Sequence, residues 1–201
     1  MSIIIRPEVE ADFFETEMIT REAFWDKYKP GCDEHLVLHQ LRKSEAFIPE
    51  LDYVAIDDSK IVGNIVYSKA TVKNMAAENT VLCMGPLSVL PSFQKRGIGS
   101  LLMRKTIEKA IFLNYSAIVI FGNPQYYMKF GFVNAEQHGI QTSDGHNFDA
   151  FMTLVLSTDL MKGIAGRFFE DKAFQIKNED LEMFEKYFPF KEKHVREGQL
   201  K

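Results

Sequence analysis

Two cysteines in 201 residues, Cys32 and Cys83, are too few and too far apart for a disulfide framework. Neither belongs to a Cys-x-x-Cys pair, so a zinc knuckle is not expected and both read as buried or free thiols. Long apolar runs are also missing. The opening Met-Ser-Ile-Ile-Ile-Arg-Pro holds three consecutive apolar residues, short of a signal-peptide core, and no later stretch approaches the roughly 20 needed to cross a bilayer. The expectation is a soluble, cytoplasmic protein with no membrane partner. Positive charge is scarce: 24 Lys and Arg stand against 28 Asp and Glu, a formal charge of −4, with no basic stripe. Nucleic acid is therefore not expected as a main partner. His35 and His39 have helical i,i+4 spacing, but His-Leu-Val-Leu-His lacks the Glu of a zinc-protease helix and a third ligand, so no metal is expected. No internal repeat or low-complexity tract occurs.

What is present suits one sizeable core. Hydrophobic residues make up 46% of the chain, enough for a single domain over 1–157 and a modest extension over 158–201 packed on it. Ile3–Arg6 reads as a short strand stopped by Pro7, and Ala11–Trp25 as a helix. After Pro30-Gly31, Asp33 is placed to cap a second helix over His35–Ser44. Tyr53–Ile56 and Ile61–Val72 read as an antiparallel hairpin about Asp57–Lys60, with Val81–Val89 as the next strand. Gly85-Pro86 inside that strand predicts a bulge or a parting of strands, because proline cannot donate to a ladder. A helix over Gly99–Leu113 then crosses to a short strand, Ala117–Phe121, giving a βαβ unit with two parallel strands. Pro124 starts a short helix that Gly131 closes, and Phe151–Leu156 is a later strand after a polar loop, His138–Asn147, a candidate substrate contact. Gly163 and Gly166 read as breaks. A short acidic helix over Asn178–Phe188 presents Leu181, Phe184 and Phe188 on one face before Pro189 stops it.

The stretch Leu87–Leu102 constrains function most. It runs strand, turn, helix, with Gly97 and Gly99 at the turn and Lys95 and Arg96 adding positive charge. Glycines let backbone approach a ligand, and the first N–H groups of a helix lack intrahelical partners, so an anion would be held there. A P-loop would need Gly-x-x-x-x-Gly-Lys-Ser/Thr, which is absent. A dinucleotide turn would need Gly or Ala where Leu102 stands and an acid after Phe121, so that option is weak. The same glycines would also serve a plain tight turn with solvated charges.

Gln94-Lys95-Arg96-Gly97-Ile98-Gly99 resembles the Gln/Arg-x-x-Gly-x-Gly/Ala pyrophosphate turn of the GNAT N-acetyltransferases. In many members it is preceded by Gly-Pro-Leu-x-Val-x-Pro, here Gly85 to Pro91. The resemblance continues through Gly122-Asn123-Pro124-Gln125-Tyr126-Tyr127-Met128-Lys129-Phe130-Gly131-Phe132 and covers Ile3 to about Leu156. Ala23-Phe24-Trp25, Glu34-His35 and Glu50-Leu51 further resemble a bacterial subgroup of predicted acetyltransferases. The resemblance implies a mixed α/β fold, mostly antiparallel with a central parallel βαβ unit and splayed strands. It implies acetyl-CoA as co-substrate, with Leu87, Ser88, Val89, Gln94, Lys95, Arg96, Gly97, Ile98, Gly99, Ser100, Asn123 and Tyr127 as cofactor contacts.

It also implies Tyr127, four residues before Gly131, as the acid that protonates the departing thiolate, with Tyr126 as its rival. Core packing is the alternative role for both. Transfer to a primary amine of a small molecule or peptide needs a base for the ammonium proton, whose pKa is about 10. No carboxylate lies from Thr80 to Val89, where relatives often carry one, leaving Glu34, His35, Glu50 or water. Asp33, Glu34, Glu50 and Asp52 favour a cationic acceptor, and a homodimer is compatible with the sequence. The missing strand carboxylate also admits a non-catalytic acyl-CoA-binding or regulatory module on the same fold.

Overall fold

The computed structural model describes residues 3–199. Strands β1 (Ile4–Pro7), β2 (Tyr53–Asp57), β3 (Lys60–Lys73) and β4 (Glu78–Val89) form an antiparallel meander. Asp58 and Ser59 join β2 to β3 with positive φ at both positions, the turn whose twist matches a hairpin. β5 (Ala117–Phe121) lies parallel to β4, and β8 (Phe151–Val155) is antiparallel to β5. β6 (Val133–Asn134) pairs with β8. The order is β1-β2-β3-β4-β5-β8-β6, the mixed, mostly antiparallel sheet expected from the sequence.

Helices α1 (Phe13–Phe24), α2 (Glu34–Leu41), α3 (Ile98–Phe112), α4 (Pro124–Tyr127) and α5 (Asn178–Phe184) surround it. Alternation along the strands decides which face each buries. Ile65, Tyr67, Leu82, Ile118 and Ile120 meet Ile98, Leu102, Met103 and Ala110 of α3 in the larger core. Val66 meets Val37, Leu38 and Leu41 of α2 on the opposite face. Cys83, Val119 and Phe151 share that opposite face with Met161, Ile164 and Phe168. Among the described residues no helix is long and apolar enough to cross a membrane.

Several local readings need correction. Asp33 occupies the N-cap position of α2 without capping it; its carboxylate pairs with Lys29 instead. The first helix begins two residues late, behind a 3-10 turn at Glu10–Asp12, and the acidic helix ends at Phe184 with a 3-10 turn after it. Gly166 opens a strand rather than breaking the chain: β9 (Gly166–Phe169) pairs Thr71↔Phe169 and Lys73↔Arg167 with β3. Glycine is required there, since φ is +135° and a Cβ would stand 2.3 Å from the Lys73 carbonyl oxygen. β7 (Ile140–Gln141), inside the polar loop expected over His138–Asn147, pairs parallel with β9.

Candidate functional site

The opening expected at Gly85-Pro86 is present. Ile65 pairs with Leu87 and Tyr67 with Met84, so Val66 alone faces both Gly85 and Pro86, a bulge with two residues against one. Gly85 lets α2 and β3 close on the bulge: a Cβ there would lie 2.8 Å from Val66 Cγ1 and 3.0 Å from Leu41 Cδ1, so both buried side chains would have to shift. Beyond the bulge β4 leaves β5: their pairing is confined to Leu82↔Ile118 and Cys83↔Val119. Leu90 N–H donates to the Val62 carbonyl at 2.9 Å, and antiparallel pairs alternate between bonded and non-bonded. Ser88 is then the residue bonded to Asn64, and the peptide groups of Leu87 and Val89 turn to the edge that β5 has vacated. Ser88 Oγ is committed elsewhere, donating to Thr20 Oγ1 at 2.9 Å under α1. Gln94 Nε2 donates to the Val89 carbonyl at 3.0 Å, tying the turn to that strand.

The turn itself is a backbone device. Lys95 and Gly97 both have positive φ, 61° and 85°, and swing the chain into α3 with Gly97 at its N-cap. No side chain caps that end, so the helix presents its first N–H groups and the positive end of its dipole at the surface. Ile98 anchors it, 2% exposed, while Gln94, Lys95, Arg96 and Gly97 are exposed. Arg96 lies over the Phe93 ring at 5.0 Å. Gly99 leaves a cradle: a Cβ there would meet Tyr126 Oη at 2.7 Å.

The two tyrosines part company. Tyr126 reaches from α4 to the start of α3, where Ser100 hydrogen-bonds its hydroxyl; burial raises its pKa and that bond lowers it, with a net rise. Tyr127 turns the other way. Its ring lies against Gly122, where a Cβ would stand 2.3 Å from Cε2, and meets Phe132 edge-on at 5.7 Å. Burial holds its phenol well above the ordinary value, so it carries its proton at neutral pH. Asn123 caps α4, its Oδ1 accepting from Gln125 N–H at 2.9 Å, so its side chain is already engaged.

The base candidates separate as well. Glu50 acts electrostatically on Tyr115, just beyond the C-terminal end of α3, about 20 Å along the helix from the turn at roughly 1.5 Å per residue. It is not at the opening. His35 has no exposed surface; its Nδ1 lies 3.5 Å from Cys32 Sγ and its Nε2 2.8 Å from Glu185 Oε1. Phe184 and Phe188 pack on its ring. Burial alone would raise Glu185, but His35 and Arg21 outweigh it and bring the carboxyl down to about 2. That cluster clamps the C-terminal segment to α1 and α2, with Arg21 Nη2 2.8 Å from Glu185 Oε2 and Trp25 Nε1 donating to the Glu192 carbonyl at 2.9 Å. Glu34 is half-buried at the start of α2, and burial raises its carboxyl to about 7. Sequence reading missed an aromatic wall on the α2 face of the sheet. Phe121, at the end of β5, stacks on Phe148 at 6.0 Å and on Phe151 at 5.0 Å, and Phe121 and Phe148 remain about half exposed.

Residues 50–134 match the family model of the acetyltransferase (GNAT) domain. The chain is 26% identical over 165 residues to the uncharacterized N-acetyltransferase YhbS of Escherichia coli, covering 82% of this chain and 93% of that protein. It is 30% identical over 92 residues to the uncharacterized N-acetyltransferase YjhQ of the same organism, of which the match spans about half (51%) and which covers 46% of this chain. Its fold superposes on the crystal structure of E. coli YhbS in complex with CoA with a TM-score of 0.76, at 24% identity over 87% of this chain and 92% of that one. A GNAT family acetyltransferase from Brucella melitensis in complex with acetyl-CoA gives 0.69, at 26% identity over 86% and 98%.

Proposed function

The chain belongs to the GNAT acetyltransferases, and from that premise we propose that it moves an acetyl group from acetyl-CoA to a primary amine of a small molecule or peptide by direct attack. The observation that carries this reading is the gap between β4 and β5 with an uncapped helix start at one end of it. The edge at Leu87 and Val89 offers the N–H and C=O of Leu87 and the N–H of Val89 to the amide-rich arm of coenzyme A, as an added strand would be held, while the Val89 carbonyl is taken by Gln94. The turn between Gln94 and Ser100, whose own N–H groups donate to the Pro91 and Gly97 carbonyls, suits the diphosphate through the backbone between them and the α3 dipole, with Tyr126 Oη closing the side at Gly99. A backbone N–H near Leu87 is placed to stabilise negative charge on the acetyl oxygen.

Tyr127 is the group we assign to the leaving sulfur. It stays protonated at neutral pH, lies against Gly122 just beyond the end of β5 and, like Leu87, packs against the larger core. Tyr126, engaged with Ser100, is better suited to closing the diphosphate end. Glu34 and the other acids near the α1–α2 connection favour a cationic acceptor. The test is release of free thiol from acetyl-CoA across a panel of small amines and lysine peptides, with calorimetric titration of the cofactor. Amine-dependent thiol release supports transfer. Tight cofactor binding with no transfer to any amine would favour a non-catalytic acyl-CoA-binding module instead.

A further inference from the structure

We propose that Glu170, delivered by the segment that follows β9, is the carboxylate that takes the proton from the acceptor ammonium. The assignment rests on the acetyl-transfer reading above and deepens it. β4 carries no acid from Thr80 to Val89. A carboxylate base would then come from another element. The segment from Phe168 to Ala173 is pinned at both ends beside it. Phe168 packs on Phe121 at 6.1 Å and on Phe151 at 5.7 Å, at the end of β5. Ala173, 4% exposed, packs with Leu38, Leu41 and Val66, and Val66 is the residue opposite the Gly85-Pro86 bulge of β4. The chain thus crosses between the two lips of the opening, and Glu170 lies midway.

Phe168 is buried and Phe169 exposed at the end of β9, and Glu170, the next residue, is half-buried just past the strand. The charge of Glu170 is felt at the Cys83 thiol, two residues before Gly85. Among the described residues no hydrogen bond or ion pair holds the Glu170 carboxylate, although it is half-buried and burial raises its pKa. Its neighbour Asp171 is occupied, accepting from Ala173 N–H at 2.9 Å. The ionisable groups that face Glu170 are the buried Cys83 thiol of β4 and Asp171 next in the chain; Phe121, Phe151 and Phe168 add apolar surface only. Glu34, by contrast, interacts with Asp33, Lys29 and the Cys32 thiol, all within the α1–α2 connection. A half-buried carboxylate without a partner is costly unless a cation completes it, and an ammonium is such a cation. In the step, Glu170 accepts one ammonium proton. The amine nitrogen bonds to the acetyl carbon as the carbon–sulfur bond breaks, and the thiolate takes a proton from the acid assigned to Tyr127. The second proton on nitrogen leaves to solvent, and solvent restores both side chains.

The test uses the full chain and an amine that the wild type acetylates. Glu170→Gln is expected to lower kcat about 100-fold and to remove the acidic limb of the kcat/KM profile, with acetyl-CoA Kd within twofold. In Glu170→Ala, added formate is expected to restore at least tenfold of the lost rate. A folded Gln variant that keeps its turnover and its acidic limb would overturn the assignment. So would a folded Ala variant that formate does not rescue, or an acidic limb lost in Glu34→Gln and kept in Glu170→Gln. A wild type that binds acetyl-CoA and acetylates no amine contradicts the transfer reading itself, and Glu170 falls with it.

Discussion

The two walls of the opening are built by different means. On the α3 side, β4 and the turn before the helix present backbone: a bulged strand edge, positive φ at Lys95 and Gly97, and an uncapped helix end. On the α2 side, the wall is made of side chains gathered from distant parts of the chain: Phe121, Phe148, Phe168 and Glu170, with α1 and α2 clamped behind them by Glu185 and Pro189. Under the proposed function, a backbone wall would recognise what every acyl-CoA shares. A side-chain wall can be changed residue by residue without disturbing the sheet, which suits it to choosing an acceptor.

Removing the distant contributor is the harshest way to break that contrast. Truncation after Ser157 deletes Met161, Ile164, Phe168, Ala173, Phe184 and Phe188 from the cores. At about 2 kcal/mol for each large side chain, roughly 10 kcal/mol of burial is lost, comparable to the whole stability of a domain. The expected result is loss of a cooperative thermal transition by circular dichroism, whether or not CoA is added. An intact transition would mean that the second wall is an accessory.

A smaller, sharper effect is expected at the junction of the walls. Tyr127→Phe should lower turnover about 100-fold in steady-state assays and leave acetyl-CoA Kd within twofold by calorimetry. Full turnover would remove Tyr127 as the acid. The mildest perturbation is on the backbone wall itself. Nothing lies within 4 Å of a Cβ built at Gly97, so Gly97→Ala meets only the strain of φ 85°, about 1 kcal/mol. Acetyl-CoA affinity should weaken about fivefold with kcat nearly unchanged, and unchanged affinity would mean the turn does not hold the cofactor.

The same contrast explains how much could be read from the sequence. The bulge, the βαβ unit and the turn are written in consecutive residues, because proline and glycine act on the backbone where they stand. Gly85-Pro86, Gly97 and Gly99 therefore gave the first wall almost entire. Glu34 and His35 are adjacent in sequence yet end in different places, one at the surface of α2 and one sealed under Phe184 and Phe188, about 150 residues away. Gly166 looked like a breaker because its purpose, passing over the Lys73 carbonyl, depends on a strand about 90 residues earlier. Glu170 gave no local sign at all: its meaning comes from what Phe168 and Ala173 touch. Long-range packing, not local propensity, made the second wall.

Amide hydrogen exchange on the full chain, with and without saturating CoA, tests the backbone wall most directly. Protection on CoA binding is expected at Leu87, Val89 and the amides from Gln94 to Ser100, with little change over 171–180. Protection centred on 171–180, with none from Gly97 to Ser100, would contradict a cofactor held between β4, β5 and the start of α3.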